Sequence, residues 1–306
     1  MSRIATIDIG TNTTLLLVAE ASGGTISVLE DRATITRLGR GIGKDGRLGQ
    51  EGIDRTLATL SGYAVLARVL EAPIFAIGTE ALRRAPNADD FLCRAAALLD
   101  MPVEVIDGER EAGLTFLAAK QSFPGAAART MVVVDIGGGS TEIVVAHGGA
   151  VDSCRSLPLG SVRLTERHIH HDPPLAGEIA AVRAEAAERL AEAPFPSQTD
   201  QPYLVGVAGT VTTLAAMAQD LRSYDPALVH GFHLTLPALE QQIDRLHVST
   251  QSQREAMTGL DPLRADVILA GAIILSEIAR RVGSTHLLVS DRGIRWGLLY
   301  EKLEIG

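Results

Sequence analysis

Residues 134–141 read V-D-I-G-G-G-S-T, and residues 7–14 carry the related pattern I-D-I-G-T-N-T-T. Each copy follows an apolar run with β-branched residues and precedes a second apolar run, which predicts a strand, a tight loop and another strand. Small residues and hydroxyl groups in such a loop let backbone N–H groups turn toward an anion. The repeated pattern therefore predicts two β-hairpins that bind phosphate, one in each half of the chain.

The composition favours an α/β protein with buried sheets, because 46% of the 306 residues are hydrophobic and only 4% are aromatic. The formal net charge of -9 argues against a protein that binds nucleic acid, since such a protein normally carries a basic face. An anionic small substrate stays compatible with this charge, because local cationic groups and metal ions decide its binding.

Cysteine content and hydropathy indicate the compartment. The chain contains two cysteines, Cys93 and Cys154, neither of them in a C-x-x-C motif, so we expect two buried thiols rather than a zinc or dithiol site. Asp8 interrupts the first apolar run, which argues against a signal peptide, and the apolar stretch at residues 267–275 is too short to span a bilayer. These features predict a cytoplasmic protein with no membrane partner.

The two halves of the chain have the same predicted order of elements. Each half opens with three antiparallel strands and continues with alternating strands and helices. In the first half, Asn87 and Asp107 are predicted to cap two of these helices. The segment F-P-G at residues 123–125 is the best boundary, which gives domains at residues 1–122 and 123–306. The C-terminal helix, at about residues 292–306, can pack back on the first domain. We therefore predict two related domains around a central cleft, as in actin-like ATPases and sugar kinases.

The two hairpins differ at one informative position. An alignment of Asp8 with Asp135 places Leu15 on Glu142, so that only the second loop is followed by a carboxylate. In a functional interpretation, this carboxylate orients a water molecule that attacks phosphate. In the alternative interpretation, Glu142 is an ordinary strand residue that faces solvent. Because glutamate is disfavoured at the start of a strand, we favour the functional interpretation. Asp8 and Asp135, which precede the loops, can hold a metal ion on the phosphate.

Three further segments offer groups that bind phosphate or activate water. Gly209 and Thr210 end a strand and begin a helix, whose N-terminus can bind an anion. Arg83 and Arg84 follow a strand and a turn, and only one of these neighbours is expected to point inward. Glu111 lies further into its helix than carboxylates that merely complement the helix dipole, which makes it a candidate general base.

The ordered motifs resemble the exopolyphosphatase and guanosine pentaphosphate phosphohydrolase (Ppx/GppA) phosphatase family, in a short two-domain form. The resemblance extends through nearly the whole chain and includes G-T-E-A-L-R-R at residues 78–84, V-I-D-G-E-R-E-A at residues 105–112, D-I-G-G-G-S-T-E at residues 135–142, S-L-P-L-G-S-V-R-L-T-E at residues 156–166 and G-L-D-P-L-R-A-D at residues 259–266. It implies an acetate kinase/actin-like (ASKHA) fold of two ribonuclease-H-like α/β domains. It also implies Mg²⁺-dependent hydrolysis of terminal phosphoanhydride bonds.

Carried over by motif, the resemblance assigns roles to residues in both halves. It implies Glu111 as the general base and Glu142 as the carboxylate that orients the water. It implies Asp135 and Asp8 as the carboxylates on the Mg²⁺ side, and Arg83 as the arginine that binds substrate. The complete predicted set of phosphate-binding residues is Gly10, Thr11, Asn12, Thr13, Arg83, Gly137, Gly138, Gly139, Ser140, Gly209 and Thr210.

The chain departs from the family at the third glycine turn, where many members read G-T-G-G-T and this chain has Val207 and Ala208. Val207 lacks the hydroxyl of the usual threonine, and Ala208 adds a methyl group to the usual glycine, so the turn is narrower. We expect this change to affect contacts with a nucleoside more than catalysis. The sequence also ends without the helical C-terminal domains of longer members. We therefore expect an exopolyphosphatase that acts on short polyphosphate.

Other functions are compatible with the same motifs. They are a guanosine pentaphosphate 5′-phosphohydrolase, a protein that binds guanosine tetra- or pentaphosphate with low turnover and, with less support, an ATP-dependent kinase of a small molecule. The intact set of Glu111, Asp135 and Glu142 argues against a pure sensor, which has no use for a pair that activates water. A homodimer is expected from the family alone.

Overall fold

The computed structural model describes residues 2–42, 46–196 and 202–305. The chain divides into two compact units: unit 1 comprises Met1–Ala118 and Ile294–Gly306, and unit 2 comprises Ala119–Gly293. The C-terminal segment thus groups with the N-terminal strands. The boundary falls within a helix at Gly108–Ser122, whereas the boundary predicted from the sequence lies after residue 122.

Unit 1 is built on a five-stranded sheet with the order β3-β2-β1-β4-β5. Its strands are β1 (Ser2–Ile9), β2 (Thr13–Ser22), β3 (Thr25–Ile35), β4 (Ile74–Gly78) and β5 (Glu104–Val105). The first three strands are antiparallel, and β4 and β5 continue the sheet in parallel to β1. The first predicted hairpin is therefore confirmed as the pair β1 and β2.

Helices cover both faces of this sheet. They are α1 (Gln50–Val69), α2 (Glu80–Arg84), α3 (Ala88–Leu99), α4 (Gly108–Ser122) and the last helix of the chain, α13 (Ile294–Lys302). Leu16 of β2 shares a cluster with Leu60 of α1, whereas the next residue, Leu17, shares a cluster with Trp296 and Leu299 of α13. Because successive side chains of a strand point to opposite faces, the continuous apolar run of β2 packs against a helix on each side.

Two contacts fix the C-terminal helix within unit 1. A Cβ atom on Gly297 would lie 1.9 Å from the carbonyl oxygen of Leu114, so α13 crosses α4 at a distance that only glycine permits. Arg295 donates from Nε and one Nη to both carboxylate oxygens of Asp31 on β3, at 3.0 Å each. Paired donation of this kind is the strongest geometry for an arginine and a carboxylate.

Unit 2 is built on a six-stranded sheet with the order β10-β11-β9-β6-β7-β8. Its strands are β6 (Thr130–Ile136), β7 (Thr141–His147), β8 (Ala150–Leu157), β9 (Tyr203–Val207), β10 (His233–Thr235) and β11 (His286–Val289). Strands β6, β7 and β8 are antiparallel, and β9 and β11 run parallel to β6. The second predicted hairpin is confirmed as the pair β6 and β7.

The helices of unit 2 enclose the larger of the two cores. They are α5 (Pro124–Ala127), α6 (Ser161–His168), α7 (Ala176–Leu190), α8 (Ala208–Ala218), α9 (Pro226–Val229), α10 (Leu236–His247), α11 (Gln251–Glu255) and α12 (Ile268–Val282). Helix α12 is buried along most of its length and contacts α7, α8 and α10. An apolar helix of this kind belongs inside a domain.

Both sheets have the strand order of a ribonuclease-H-like domain. Counted from the first strand of each unit, the order is 3-2-1-4-5 in unit 1 and 3-2-1-4-6-5 in unit 2. The two orders agree once the extra edge strand of unit 2, β10, is left out. The predicted α/β fold of two such domains is therefore confirmed. Among the described residues, no helix is both long enough and apolar enough to cross a membrane.

Two local predictions are corrected by the structure. Cys93 is exposed and Cys154 is half-buried, so the expectation of two buried thiols is wrong for Cys93, which lies on the outer face of α3. Asn87 precedes α3 without capping it. Its side chain instead accepts a hydrogen bond from Leu48 N at 2.9 Å and donates to Leu48 O at 3.1 Å, because the preceding loop offers both groups of one residue.

Candidate active site

The two glycine loops have the same turn geometry. In loop 1 (residues 10–13), Gly10 N donates to Thr13 O at 3.0 Å, and in loop 2 (residues 137–140), Gly137 N donates to Ser140 O at 3.0 Å. The cross-strand register pairs Asp8 with Leu15 in unit 1 and Asp135 with Glu142 in unit 2. The register thus reproduces the alignment of the two copies, and a second carboxylate follows loop 2 alone.

The carbonyl groups of loop 1 are bound by the segment that follows β3. Asn12 O accepts hydrogen bonds from Thr36 N at 3.0 Å and from Arg37 N at 2.9 Å, and Thr11 O accepts one from Gly39 N at 2.8 Å. In a trans peptide the carbonyl of one residue and the N–H of the next point in opposite directions. The N–H groups of residues 12 and 13 therefore point away from this segment.

Loop 2 is held in the same way by the start of α6. Gly137 O accepts a hydrogen bond from Ser161 N at 3.0 Å, and Gly138 O accepts one from Val162 N at 3.0 Å. The approach is so close that a Cβ atom on Gly160 would lie 2.3 Å from Gly138 O. The N–H groups of residues 138 and 139 consequently point away from α6, and successive N–H groups turned to one side form an anion-binding concavity.

Two acidic side chains are buried beside loop 2. Asp135 is the last residue but one of β6, with 5% of its surface exposed, and Glu142 is the second residue of β7, with 1% exposed. The hydroxyl of Ser156, on β8, donates to Oε1 of Glu142 at 2.7 Å. A charge taken out of water needs such donors. Ser156 was not among the site residues predicted from the sequence.

The neighbouring arginines of α2 have different partners. Nη1 of Arg83 donates to Ile106 O at 2.5 Å and lies 3.3 Å from Oε2 of Glu111. Nη1 of Arg84 lies 2.9 Å from Oε1 of Glu80, and its side chain is 53% exposed against 26% for Arg83. Of the two alternatives, Arg83 is therefore the arginine that points inward.

Glu111 occupies a buried position in the first turn of α4, with 5% of its surface exposed. The predicted cap is present, because Asp107 accepts a hydrogen bond from Arg110 N at 2.8 Å. The structure brings Glu111 and Arg83 together as an ion pair in unit 1. A carboxylate held by a guanidinium is fixed in place.

Loop 1 has one more polar neighbour. Oγ1 of Thr11 lies 3.5 Å from Oε2 of Glu80, whose residue is only 5% exposed. Asp8, which precedes the loop, is 7% exposed. The carboxylate of Glu80 was not among the predicted site residues, although its motif G-T-E-A-L-R-R was.

The third glycine turn differs from the two loops. Ala208 begins α8 with a φ of 65°, a left-handed conformation that residues other than glycine rarely adopt. A Cβ atom on Gly209 would lie 2.3 Å from the guanidinium of Arg264, so a larger residue would require that side chain to shift. The hydroxyl of Thr210 donates to Ile136 O at 3.0 Å, which ties the turn to β6. Burial lowers the pKa of Arg264 from its usual value.

One carboxylate beside each glycine loop could bind a divalent cation. Among the described residues there is no group of three or more histidine, cysteine, aspartate or glutamate side chains that could hold a metal ion. Asp8 and Asp135 each stand at the end of a central strand, next to a glycine loop. Divalent cations such as Mg²⁺ are commonly held by one or two carboxylates, with substrate phosphates and water as the other ligands, and the carboxylate in either unit is compatible with that mode of binding.

The strand order and the paired glycine loops define a member of the ASKHA superfamily. Within that superfamily, residues 17–305 match the model of the Ppx/GppA phosphatase family, and the chain belongs to this family. The resemblance inferred from the motifs is thus confirmed.

Similarity to individual members extends over the full length of both partners. The chain is 38% identical to exopolyphosphatase 2 of Mycobacterium tuberculosis, over 97% of this chain and 98% of that protein. The crystal structure of the Aquifex aeolicus Ppx/GppA family member is 34% identical, with a TM-score of 0.83 over 99% of this chain and 98% of that one. An exopolyphosphatase structure from Cytophaga hutchinsonii is 29% identical, with a TM-score of 0.90 over 99% and 98% of the two chains.

Proposed function

We propose that this protein is an exopolyphosphatase, a hydrolase that releases the terminal orthophosphate of inorganic polyphosphate. The observation that carries the proposal is Glu142, a carboxylate with 1% of its surface exposed, paired across the strands with Asp135 beside loop 2. A phosphotransferase of this fold has no need for a carboxylate that orients water. The names of the exopolyphosphatase relatives support the same activity.

In the proposed reaction a water molecule attacks the terminal phosphorus. The bond between that phosphorus and the bridging oxygen breaks, and its electron pair leaves with the shortened chain. One proton of the water passes to the carboxylate of Glu111, so the products are orthophosphate and a polyphosphate one unit shorter. Because the transition state spreads negative charge over the equatorial oxygens, positioning and cationic groups supply most of the catalysis.

The roles follow the contacts within each unit. The N–H groups of loop 1 and loop 2 bind phosphate oxygens. The guanidinium of Arg83 binds a further phosphate oxygen, while its Nη1 donates to Ile106 O. Glu142, held by Ser156, orients the water that Glu111 deprotonates. Gly209 and Thr210 take part through backbone N–H groups at the start of α8, since the hydroxyl of Thr210 is bonded to Ile136 O.

The proposal includes Mg²⁺ as the divalent cation. Asp135 and Asp8 are the residues that would hold it, and both are oxygen ligands of the kind Mg²⁺ prefers. When bound, the ion would offset negative charge on the phosphate oxygens.

One side-by-side experiment tests the function. Orthophosphate release is measured from short polyphosphate, from polyphosphate of hundreds of units, from guanosine pentaphosphate and from ATP, each with and without Mg²⁺. We expect the fastest release from short polyphosphate and almost none without the cation. Fastest turnover on the long polymer would contradict the chain-length preference, and release from none of the phosphoanhydrides would contradict the hydrolase.

The main alternative is hydrolysis of guanosine pentaphosphate, which requires the same water-handling groups. It would appear in this experiment as faster release from the nucleotide than from either polymer. Tight binding of guanosine tetra- or pentaphosphate without release would indicate a sensor, and formation of ADP that depends on an acceptor would indicate a kinase. Cytoplasmic location, a homodimer and the absence of nucleic-acid and membrane partners stay predictions.

A further inference from the structure

Arg163 binds loop 2 from outside the loop. It is the third residue of α6, and its Nε donates to Gly139 O at 2.8 Å. Its backbone N–H also donates to Gly138 O, at 3.1 Å. A single residue therefore binds the carbonyl groups of two consecutive glycines in the proposed phosphate loop.

In loop 1, backbone N–H groups take the place that the Arg163 side chain has in loop 2. An alignment of Gly10 with Gly137 places Asn12 on Gly139. Asn12 O accepts two backbone N–H groups, at 3.0 and 2.9 Å, whereas Gly139 O accepts the side-chain Nε of Arg163, at 2.8 Å. The same carbonyl is thus fixed in both loops, by backbone in unit 1 and by a side chain in unit 2. Only in unit 2 can one substitution remove that donor.

We propose that Arg163 is a positioning residue for the phosphate hydrolysis proposed above, on which this inference rests. By holding Gly139 O, it fixes the peptide between Gly139 and Ser140 so that the N–H of Ser140 points away from α6, with the other loop N–H groups. Glycine gives the backbone more freedom than any other residue, and loop 2 has three in succession. Without Arg163 this peptide can rotate, and the Ser140 N–H is then no longer held toward the phosphate.

Loss of Arg163 should lower kcat by less than the loss of an N–H donor that binds the phosphate directly. Removal of one donor that stabilises transition-state charge typically lowers kcat by about 10²–10³-fold. A donor that stays present but loses its fixed orientation costs less, on the order of 10–100-fold in kcat. Because the negative charge grows in the transition state, kcat changes more than KM.

Arg163→Met is compared with Arg167→Met in steady-state phosphate release from polyphosphate. Arg167 lies one turn later on the same helix, is 48% exposed and pairs with Glu185, so it is a matched control. We expect Arg163→Met to lower kcat by about 10–100-fold with KM changed by less than about threefold, and Arg167→Met to match the wild type. A kcat of Arg163→Met within about twofold of the control would overturn the proposal.

Chemical rescue separates positioning from a merely structural role. In Arg163→Ala, millimolar guanidinium should raise kcat severalfold, whereas sodium chloride at the same ionic strength should not. A fall in kcat that guanidinium leaves unchanged, together with a lower melting temperature, would assign Arg163 to stability alone and overturn the proposal.

Hydrogen exchange provides a readout that does not depend on turnover. Imidodiphosphate, an analogue that resists hydrolysis, should protect the loop 2 amides in the wild type and in Arg167→Met but not in Arg163→Met. If the wild type releases no phosphate and this pattern still holds, the proposed hydrolase fails while the positioning role stands. Equal protection in Arg163→Met and the wild type would overturn the positioning role whatever the activity.

Discussion

Nη1 of Arg83 lies 3.3 Å from Oε2 of Glu111, and the same nitrogen donates to Ile106 O at 2.5 Å. The carbonyl of Ile106 belongs to the short connection between β5 and α4, so the guanidinium is fixed to the segment that also leads to Glu111. Asp107 caps that helix. The candidate base is therefore held by an ion pair on one side and by the helix start on the other.

Glu111→Gln should remove the base without disturbing the fold. Glutamine has nearly the same shape and can still accept the hydrogen bond from Arg83, but it cannot take the proton of the water. Loss of a general base typically lowers turnover by about 10²–10⁴-fold, and we expect kcat for phosphate release to fall within this range. The measurement is kcat on polyphosphate together with the melting temperature.

Glu109→Gln is the matched control for that substitution. Glu109 lies in the first turn of the same helix but is exposed, so the change should leave kcat and folding unchanged. Near-normal turnover of Glu111→Gln, with the control also normal, would remove Glu111 from the role of base.

Arg83→Met tests the inward-pointing arginine against its neighbour. The substitution removes both the partner of Glu111 and the fork proposed to bind phosphate, and we expect kcat/KM to fall by about 10²-fold. Arg84→Met removes an ion pair that is half exposed, which is worth about 0–1 kcal/mol of stability, and should leave kcat/KM within about twofold. Equal losses in the two variants would show that Arg83 has no special part in substrate binding.

The paired hairpins could be predicted from the sequence because their signal is local. Apolar runs with β-branched residues, separated by turns of small residues, predict the strands, and the alignment of Asp8 with Asp135 then gives the difference between Leu15 and Glu142. The cap at Asp107 is local in the same sense. Predictions of this kind depend on residues within a few positions of one another.

The partner of Glu142 could not be predicted by counting along the second hairpin and its neighbour. Strands β7 and β8 shift register between Val145 and Ala146. Without that irregularity, the pairing of Ala146 with Val151 would place Arg155 opposite Glu142, whereas the observed partner is Ser156. A one-residue slip exchanges every cross-strand neighbour. The site therefore has a neutral hydroxyl where simple counting gives a cation.

Glu142→Gln tests the consequence of that register. We expect turnover to fall by about 10²-fold or more, because the substitution removes the negative charge and replaces one of the two acceptor oxygens by an NH₂ group, which donates. Ser156→Ala removes one hydrogen bond to the carboxylate and should lower turnover by about tenfold or less. The measurement is kcat on polyphosphate, and a larger loss in Ser156→Ala than in Glu142→Gln would contradict the assigned order of roles.

His230 should make unit 2 less stable in mild acid. Burial and, to a smaller extent, the charge of Arg292 lower the pKa of His230 from 6.5 to about 4. The unfolded chain therefore binds a proton between pH 6.5 and 4 that the folded protein excludes, and stability is lost as the pH falls through this window. We expect a contribution of about 1–2 kcal/mol at pH 5, after allowance for the half-exposed ring.

Urea unfolding of the wild type and of His230→Asn at pH 7 and pH 5 measures this contribution. Asparagine keeps an acceptor where Nδ1 of His230 receives the N–H of Asp291, at 3.3 Å. The difference at pH 7 gives the cost of the substitution itself, including the lost stacking on Phe123. The variant should then lose less stability than the wild type at pH 5, and parallel losses would exclude His230 as the titrating group.

Ala208→Gly should stabilise the protein. Ala208 has a φ of 65°, at the position where many family members have glycine. A left-handed conformation costs an alanine about 1–2 kcal/mol, and glycine avoids this strain. Glycine loses about 0.5–1 kcal/mol more conformational entropy on folding, so the net gain is about 0.5–1 kcal/mol. The free energy of unfolding in urea measures it.

Ala187→Gly is a control that tests whether the stabilisation expected from Ala208→Gly comes from its left-handed backbone conformation. Ala187 is exposed within α7, where glycine relieves no strain and should destabilise the protein by about 0.5–1 kcal/mol. The two alanine-to-glycine changes should thus have opposite signs. A loss of stability in both variants would mean that the surroundings of Ala208 offset the strain, and that the methyl group in the third glycine turn contributes packing that outweighs its unfavourable φ.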